Sequence, residues 1–107
     1  MSAKRVEILE AVQADLEYAR SFYESWKPGG GDEILRKYFD ALDWIEWNPD
    51  LFPRKFGMIQ RVLLKRSYFV VYFLQEKGRS VVVAVLDGRR DPRVIRKFIY
   101  RRRRTGH

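Results

Sequence analysis

The sequence has no cysteine and a single histidine, and these two shortages remove several kinds of chemistry. Without cysteine the chain can form neither a disulfide nor a thiolate metal site, and it has no thiol nucleophile. The histidine, His107, is the last residue, where we expect fraying to leave its ring without fixed partners, so Ser-His and Cys-His catalytic pairs are excluded. The acids fall mostly on predicted helix faces, as Asp40 and Asp43 do, without histidine or cysteine neighbours. We therefore predict no metal and no cofactor.

Long apolar runs are also missing. The longest, Tyr68 to Leu74, has seven residues, whereas about 20 are needed to span a bilayer. The opening "MSAKRVEILE" lacks the apolar core of a secretory signal. The glycine cluster Gly29 to Gly31 follows no strand and lacks the Gly-Lys-Ser/Thr ending of a phosphate loop. These features predict a cytoplasmic protein with no membrane partner and no small-molecule substrate.

Positive charge is abundant but unevenly distributed. The net charge is +8; residues 1–50 sum to −5 and residues 51–107 to +13. The segment from Gly88 onward holds nine arginines and lysines against one acid, Asp91. This asymmetry predicts an anionic partner, which can be nucleic acid, the ribosome or an acidic protein segment. The alternative is that the terminal arginines only solvate the end of a helix or a tail.

The first half of the chain has the periodicity of a strand followed by two helices. Lys4 to Glu10 alternates as a half-buried strand does, and apolar residues at steps of three and four predict helices over Val12 to Trp26 and Glu33 to Trp47. Pro28 and the glycines after it end the first helix, and Asp32 is placed to cap the second. Two helices joined by so few residues predict an antiparallel hairpin.

The second half has the composition of strands. The segments "RKFGMIQRVLLKR", "SYFVVYFLQ" and "RSVVVAVLD" are rich in β-branched and aromatic residues, and Lys77-Gly78 suits a tight turn between the last two. The predicted class is α+β: an N-terminal strand, an antiparallel helical hairpin packed on a twisted antiparallel β-sheet, and a short basic helix or tail after Pro92. We expect one domain over residues 1–107, with a core of about residues 4–92 and a basic segment 93–107.

Cationic side chains are the main candidates for a binding site. Neighbouring antiparallel strands bring distant residues together, and arginine and lysine bind phosphates and carboxylates. The residues predicted to bind a macromolecular partner are Arg61, Lys65, Arg66, Arg89, Arg90 and Arg93. Gly88, Asp91 and Pro92 are expected to shape the turn that presents the last three. The alternative for Lys65 and Arg66 is a solvated sheet edge, where charge prevents aggregation.

The aromatic residues on the helices are predicted to serve mainly in packing. Trp44 and Trp47 fall toward the more polar side of the second helix. These two can instead form an exposed apolar patch for a partner.

Five segments in this order resemble the RelE/ParE superfamily of toxins from bacterial type II toxin-antitoxin operons. They are "ADLEYARSFYE", "KPGGGDEIL", "NPDLFP", "IQRVLLKRSYFVVYFL" and "VVVAVLDGRRDP", and the resemblance covers about residues 6 to 93. It implies a toxin of a plasmid-stabilisation module that is held inactive by a cognate antitoxin, which is typically acidic and partly disordered. An acidic chain suits the basic half of this sequence.

The resemblance leaves two targets open. RelE-like members cleave mRNA on the ribosome with cationic side chains and a C-terminal tyrosine, whereas ParE-like members inhibit DNA gyrase. Positions of the RelE-like catalytic set read Gln60, Val62 and Phe69 here, and "RRDP" resembles the ParE-like branch, which we favour. If the chain is a metal-independent endoribonuclease, its catalytic residues are expected to be Arg61, Arg90 and Tyr100. A third possibility is a basic nucleic-acid-binding module without toxicity.

Overall fold

A computed structural model describes residues 5–105, and its elements confirm the predicted α+β class. The strands are β1 (Val6–Ile8), β2 (Arg54–Phe56), β3 (Ile59–Leu63), β4 (Phe69–Glu76) and β5 (Arg79–Asp87). The helices are α1 (Val12–Glu24), α2 (Gly30–Trp47) and α3 (Pro92–Thr105), with one 3-10 turn at Pro49–Leu51. Lys4, in the predicted first strand, and His107 lie outside the described residues. None of the helices within residues 5–105 has the length and apolar character needed to cross a membrane.

The five strands form one sheet in the order β1-β5-β4-β3-β2. The pairs among β2, β3, β4 and β5 are antiparallel, as predicted, whereas β1 runs parallel to β5, so the sheet is mixed. The parallel pair arises because the chain crosses the sheet through the helical hairpin before β5 forms. Strands β4 and β5 are buried on both faces, which agrees with their apolar runs and their inner positions.

Each face of the sheet is covered by different helices. The hairpin of α1 and α2 covers one face, where Ile34, Tyr38 and Ile45 pack with Val71 and Phe73. Helix α3 covers the other face. There Ile95 and Ile99 join a second buried cluster with the alternate residues of β4 and β5. Burying two isoleucines contributes about 3–6 kcal/mol to docking α3. The "RRRR" segment therefore belongs to a packed helix.

The turn between α1 and α2 depends on glycines and on a carboxylate. Helix α2 begins at Gly30, three residues earlier than predicted, because Gly29 adopts a left-handed conformation with φ of 86° and is the N-cap. The carboxylate of Glu24 accepts hydrogen bonds from the backbone N–H groups of Gly29 (3.2 Å) and Gly31 (2.9 Å). These bonds, that of Gly31 first, lower the pKa of Glu24. Asp32 lies in the first turn and makes no capping bond, contrary to its predicted role.

Gln60 fixes the break between α2 and the sheet. Its buried amide donates to the carbonyls of Pro49 (2.9 Å) and Phe52 (2.8 Å), and its own oxygen accepts from Gln75 Nε2 (3.0 Å). These bonds give the Phe52 carbonyl a partner and add a second one to the Pro49 carbonyl, which also accepts the N–H of Phe52. The "NPDLFP" segment is thereby held against β3 and β4. The predicted tight turn between β4 and β5 is also confirmed, with positive φ at Lys77 (51°) and Gly78 (75°).

A buried ion pair joins the two faces around the edge of the sheet. Strand β1 pairs with β5 only at Ser80, Val81 and Val82, so the edge of β5 continues beyond it. There the carboxylate of Asp15 on α1 forms a bidentate pair with Arg102 on α3. Asp15 also accepts the backbone N–H of Val85 on β5, and Arg102 donates to the carbonyl of Val83. Helix α3 is thus tied to α1 as well as to the sheet.

Candidate macromolecular interface

Four of the six predicted binding cations lie at one end of the sheet. Lys65 and Arg66 occupy the turn from β3 to β4, and Arg89 and Arg90 the turn after β5. Both turns border the start of β4, because Leu63 pairs with Val70, and Phe69 pairs with Asp87. Arg93 follows in the first turn of α3. Arg61 lies farther along β3, where it is opposite Tyr72 on β4.

Arg89 is held by an acid and an aromatic ring at this end. Its guanidinium bonds both carboxylate oxygens of Asp87, with Nη2 to Oδ2 at 2.7 Å and Nε to Oδ1 at 3.0 Å. It also stacks over the ring of Tyr68, 3.7 Å from the centroid. The side-chain bond from Arg89 lowers the pKa of Asp87. Arg89 is half exposed, so it presents an oriented but already paired cation.

Asp91 organises the start of α3. Its carboxylate accepts the backbone N–H of Arg93 (2.8 Å) and pairs with the Arg93 guanidinium (2.9 Å), which lowers the pKa of Asp91. Pro92 is the first helical residue, where its missing N–H costs nothing. Before them, a Cβ at Gly88 would lie 2.6 Å from Val70 Cγ2, so the turn passes too close to β4 for a larger residue. Arg93 itself is almost fully exposed.

The structure does not bring Arg90 and Tyr100 to one place. Arg90 lines a small cleft of about 160 Å³ with Tyr18 and Phe98, between α1 and α3. The Tyr100 hydroxyl instead lies beside Gly57 in the turn from β2 to β3, 3.2 Å from the position of an added Cβ. Phe98 and Tyr100 are two residues apart, and two helical residues point about 200° apart. Helix α3 therefore separates the two residues.

Arg61 lies within the sheet, next to a buried tyrosine. Burial raises the pKa of Tyr72, and the nearby Arg61 charge opposes that change. Under the hairpin, burial raises the pKa of Tyr38 to about 12. Among the described residues no three His, Cys, Asp or Glu side chains gather to form a metal-binding group.

An open groove with apolar walls lies between α2 and β3, and we call it the α2–β3 groove. Its volume is about 470 Å³. Its apolar lining includes Trp44, Leu51 and Leu63, which are each more than half exposed, and charged residues Lys37, Asp43 and Lys65 lie around them. Trp47 packs edge-on against Trp44 at 5.6 Å. For both tryptophans the sequence predicted mainly packing and gave an exposed patch as the alternative; both are exposed, and the two exposed leucines were not predicted.

Leu63 was missed because its exposure depends on the length of β2. That strand pairs with β3 only at Ile59 and Gln60, so within the described chain Val62 and Leu63 have no strand on their outer side. An uncovered edge with exposed apolar side chains is a site where another chain can pair or pack. The alternation of side chains in "IQRVLLKR" predicts which face of the sheet Leu63 lies on. It does not predict that β2 ends before it reaches Leu63.

A helical hairpin on one face of a mostly antiparallel sheet agrees with the fold that the resemblance to the RelE/ParE superfamily implies. Residues 6–92 match the family model described as the ParE toxin of the type II toxin-antitoxin system, parDE. The chain therefore belongs to this toxin family, which implies an antitoxin partner. A search of curated proteins found no match. The family match ends at Pro92, the first residue of α3.

Proposed function

We propose that this toxin stops bacterial growth by inhibiting DNA gyrase and that a cognate acidic antitoxin neutralises it in the cytoplasm. Membership of the ParE family supports gyrase over the ribosome. The observation that carries this choice is the separation of Arg90 from Tyr100 by α3. A ribonuclease needs its cation and its proton donor around one phosphate, whereas inhibition by binding needs no such convergence.

The α2–β3 groove is the proposed site of the antitoxin. Its exposed side chains Trp44, Leu51 and Leu63 can be buried by apolar side chains of a partner. Lys65 and the adjacent Arg66 can pair with the partner's carboxylates. An acidic amphipathic segment satisfies both requirements. The acids of the groove, Asp40 and Asp43, lie on α2, so carboxylates of the partner are placed toward β3.

Three of the four remaining predicted cations are assigned to the target. Arg89 and Arg93 are already oriented by Asp87 and Asp91, and they project from the sheet end that Arg90 shares. Preorganised arginines are common at the centre of protein interfaces, because little side-chain entropy is lost when they bind. We assign Arg89, Arg90 and Arg93 to gyrase, and Lys65 and Arg66 to the antitoxin.

Expression in a bacterial host without antitoxin, followed by two assays, tests the function. Growth is expected to stop, purified gyrase is expected to lose supercoiling activity, and transcripts are expected to show no ribosome-dependent cuts. The Tyr100→Phe variant is expected to keep gyrase inhibition. If the chain is instead an endoribonuclease, cuts appear, and Tyr100→Phe reduces them by about 10²-fold or more. Unimpaired growth would overturn both toxin functions and leave the non-toxic nucleic-acid-binding module.

A further inference from the structure

The solvent side of α3 carries a dense array of cations, and the proposed function uses only the first of them, Arg93. We call it the α3 basic face, and it consists of Arg93, Arg96, Lys97, Arg101, Arg103 and Arg104, all exposed. Helix α3 contains no acid. Among the described residues, no carboxylate pairs with Arg96, Lys97, Arg103 or Arg104; Arg93 pairs with Asp91.

Helix stability does not account for this charge. Arginines in the last turn interact favourably with the helix dipole, which explains Arg103 and Arg104. Arg93, Arg96 and Lys97 lie in the first half, where the dipole gives no such benefit. Like charges three or four residues apart, such as Arg93 with Lys97, destabilise a helix. The helix is held in spite of its charge, by burial of Ile95 and Ile99 and by the Arg102 pair with Asp15.

On the side of α3 that faces the turn from β2 to β3, the neighbouring surface adds cations. The hydroxyl of Tyr100 lies 3.2 Å from the position of an added Cβ at Gly57, and the exposed Arg54 and Lys55 lie on β2 just before this turn. Between Leu51 and Gln75 the sequence contains no aspartate or glutamate. Arg96 lies 5.7 Å from the Tyr100 ring, and this ring is 38% exposed. Cations therefore lie on both elements that meet at Tyr100, α3 and β2.

The shape of the α3 basic face selects an extended polyanion. Its cations span residues 93 to 104, or about 16 Å along the helix axis. A small anion can bind only one or two of them, whereas a nucleic-acid strand presents a phosphate at every nucleotide. A packed helix already fixes the backbone of these residues along one axis, so only their side chains have to be ordered on binding. We propose that the α3 basic face binds the phosphodiester backbone of nucleic acid and holds the toxin on the DNA or RNA where its target works.

This inference goes beyond the proposed function, which requires only protein partners. Helix α3 lies outside the family match and on the sheet face opposite α2. Antitoxin in the α2–β3 groove and nucleic acid on α3 are therefore expected to bind the same molecule together.

Fluorescence anisotropy with the full chain tests the inference without gyrase or growth. The probes are a labelled DNA duplex and a labelled single-stranded RNA of equal length, each titrated over a range of KCl concentrations. The test variant is Arg96→Gln/Arg103→Gln/Arg104→Gln. The control, Lys27→Gln/Arg36→Gln/Lys77→Gln, removes the same charge from exposed positions in the hairpin and the β4–β5 turn.

The test variant is expected to bind at least about tenfold more weakly at moderate salt and to lose about two to three units of the slope of log K against log salt. The control is expected to keep most of the affinity and slope. Tighter binding of the duplex would indicate that the α3 basic face binds the DNA on which gyrase acts. Tighter binding of the RNA would indicate that it binds RNA at the ribosome. The inference is overturned if neither probe binds at low salt, if both variants weaken binding equally, or if polyglutamate of equal charge displaces the probes as well as unlabelled DNA does.

Discussion

The Asp15 carboxylate and the Arg102 guanidinium occupy the place of a missing strand beside β5. They bond each other through Nη1 to Oδ2 at 2.6 Å and Nη2 to Oδ1 at 3.0 Å. Asp15 also accepts the N–H of Val85 at 3.0 Å, and Arg102 donates to the carbonyl of Val83 at 3.0 Å. Both side chains are about nine-tenths buried. Together they satisfy a backbone donor and acceptor of β5 that β1 is too short to reach.

Removing one member of this pair is expected to destabilise the fold strongly. Asp15→Ala leaves a buried guanidinium and the Val85 N–H without their carboxylate, so we expect the free energy of unfolding to fall by about 3–5 kcal/mol. Urea denaturation measures it. The control Glu17→Ala breaks the exposed pair with Arg20 on the same helix and is expected to cost less than about 1 kcal/mol. Equal losses of unfolding free energy in the two variants would mean that the buried pair stabilises the fold no more than an exposed pair does.

Gly30 is expected to resist even a methyl group. A Cβ there would lie 2.4 Å from the carbonyl oxygen of Tyr23, a backbone atom that cannot rotate away. Gly30→Ala is therefore expected to lower the free energy of unfolding by about 1–3 kcal/mol, although alanine favours helices over glycine by about 1 kcal/mol. Thermal melts compare it with Ser21→Ala, an exposed helix position. A higher melting temperature for Gly30→Ala would contradict the close helix approach.

Acid is expected to weaken the turn after β5. The bond from Arg89 holds the pKa of Asp87 below its ordinary value of 3.8. A lowered folded-state pKa gives stability that is present above the unfolded pKa and is lost as the pH falls through the folded one. The loss should therefore begin below about pH 4. Asp87→Asn is expected to reduce the difference in urea stability between neutral and strongly acidic solution, and an unchanged difference would argue against this pair.

Changes in the α2–β3 groove are expected to weaken the antitoxin complex selectively. Trp44→Ala removes a large exposed apolar contact, and we expect a loss of about 2 kcal/mol, or roughly 30-fold in Kd. Calorimetric titration with the cognate antitoxin measures this. Phe39→Ala is the control, because Phe39 is similarly exposed on α2 but does not line the groove. If both variants bind alike, the antitoxin occupies another surface.

Local sequence patterns predicted much of the fold, because helices and strands have distinct periods. The apolar stripes placed α1 and α2 within a few residues, and the two-sided apolar runs identified β4 and β5 as inner strands. The earlier start of α2 escaped prediction because it depends on how Gly30 packs against Tyr23. The parallel pairing of β1 depends on contacts with β5, about seventy residues away, for which no local signal exists.

The candidate site was less predictable, since it depends on where α3 docks. The cations were identified by type, and several do share one end of the sheet. Their division around α3 follows from the burial of Ile95 and Ile99, which decides that Phe98 and Tyr100 point in different directions. Nothing near Arg102 in the sequence points to Asp15, 87 residues away. Pairs of residues that meet only in the folded protein cannot be predicted from their spacing in the sequence.

Because Asp15 and Arg102 cover the free edge of β5, the two sides of the sheet differ in how easily an extended peptide can pair with them. At the β5 edge the N–H of Val85 and the carbonyl of Val83 are already hydrogen-bonded to side chains, so they are not free to pair with an added peptide. On the opposite side of the sheet, no strand among the described residues pairs with Leu63 beyond the short β2, next to the groove. A peptide that pairs directly with an inner strand therefore has more room alongside β3 than alongside β5.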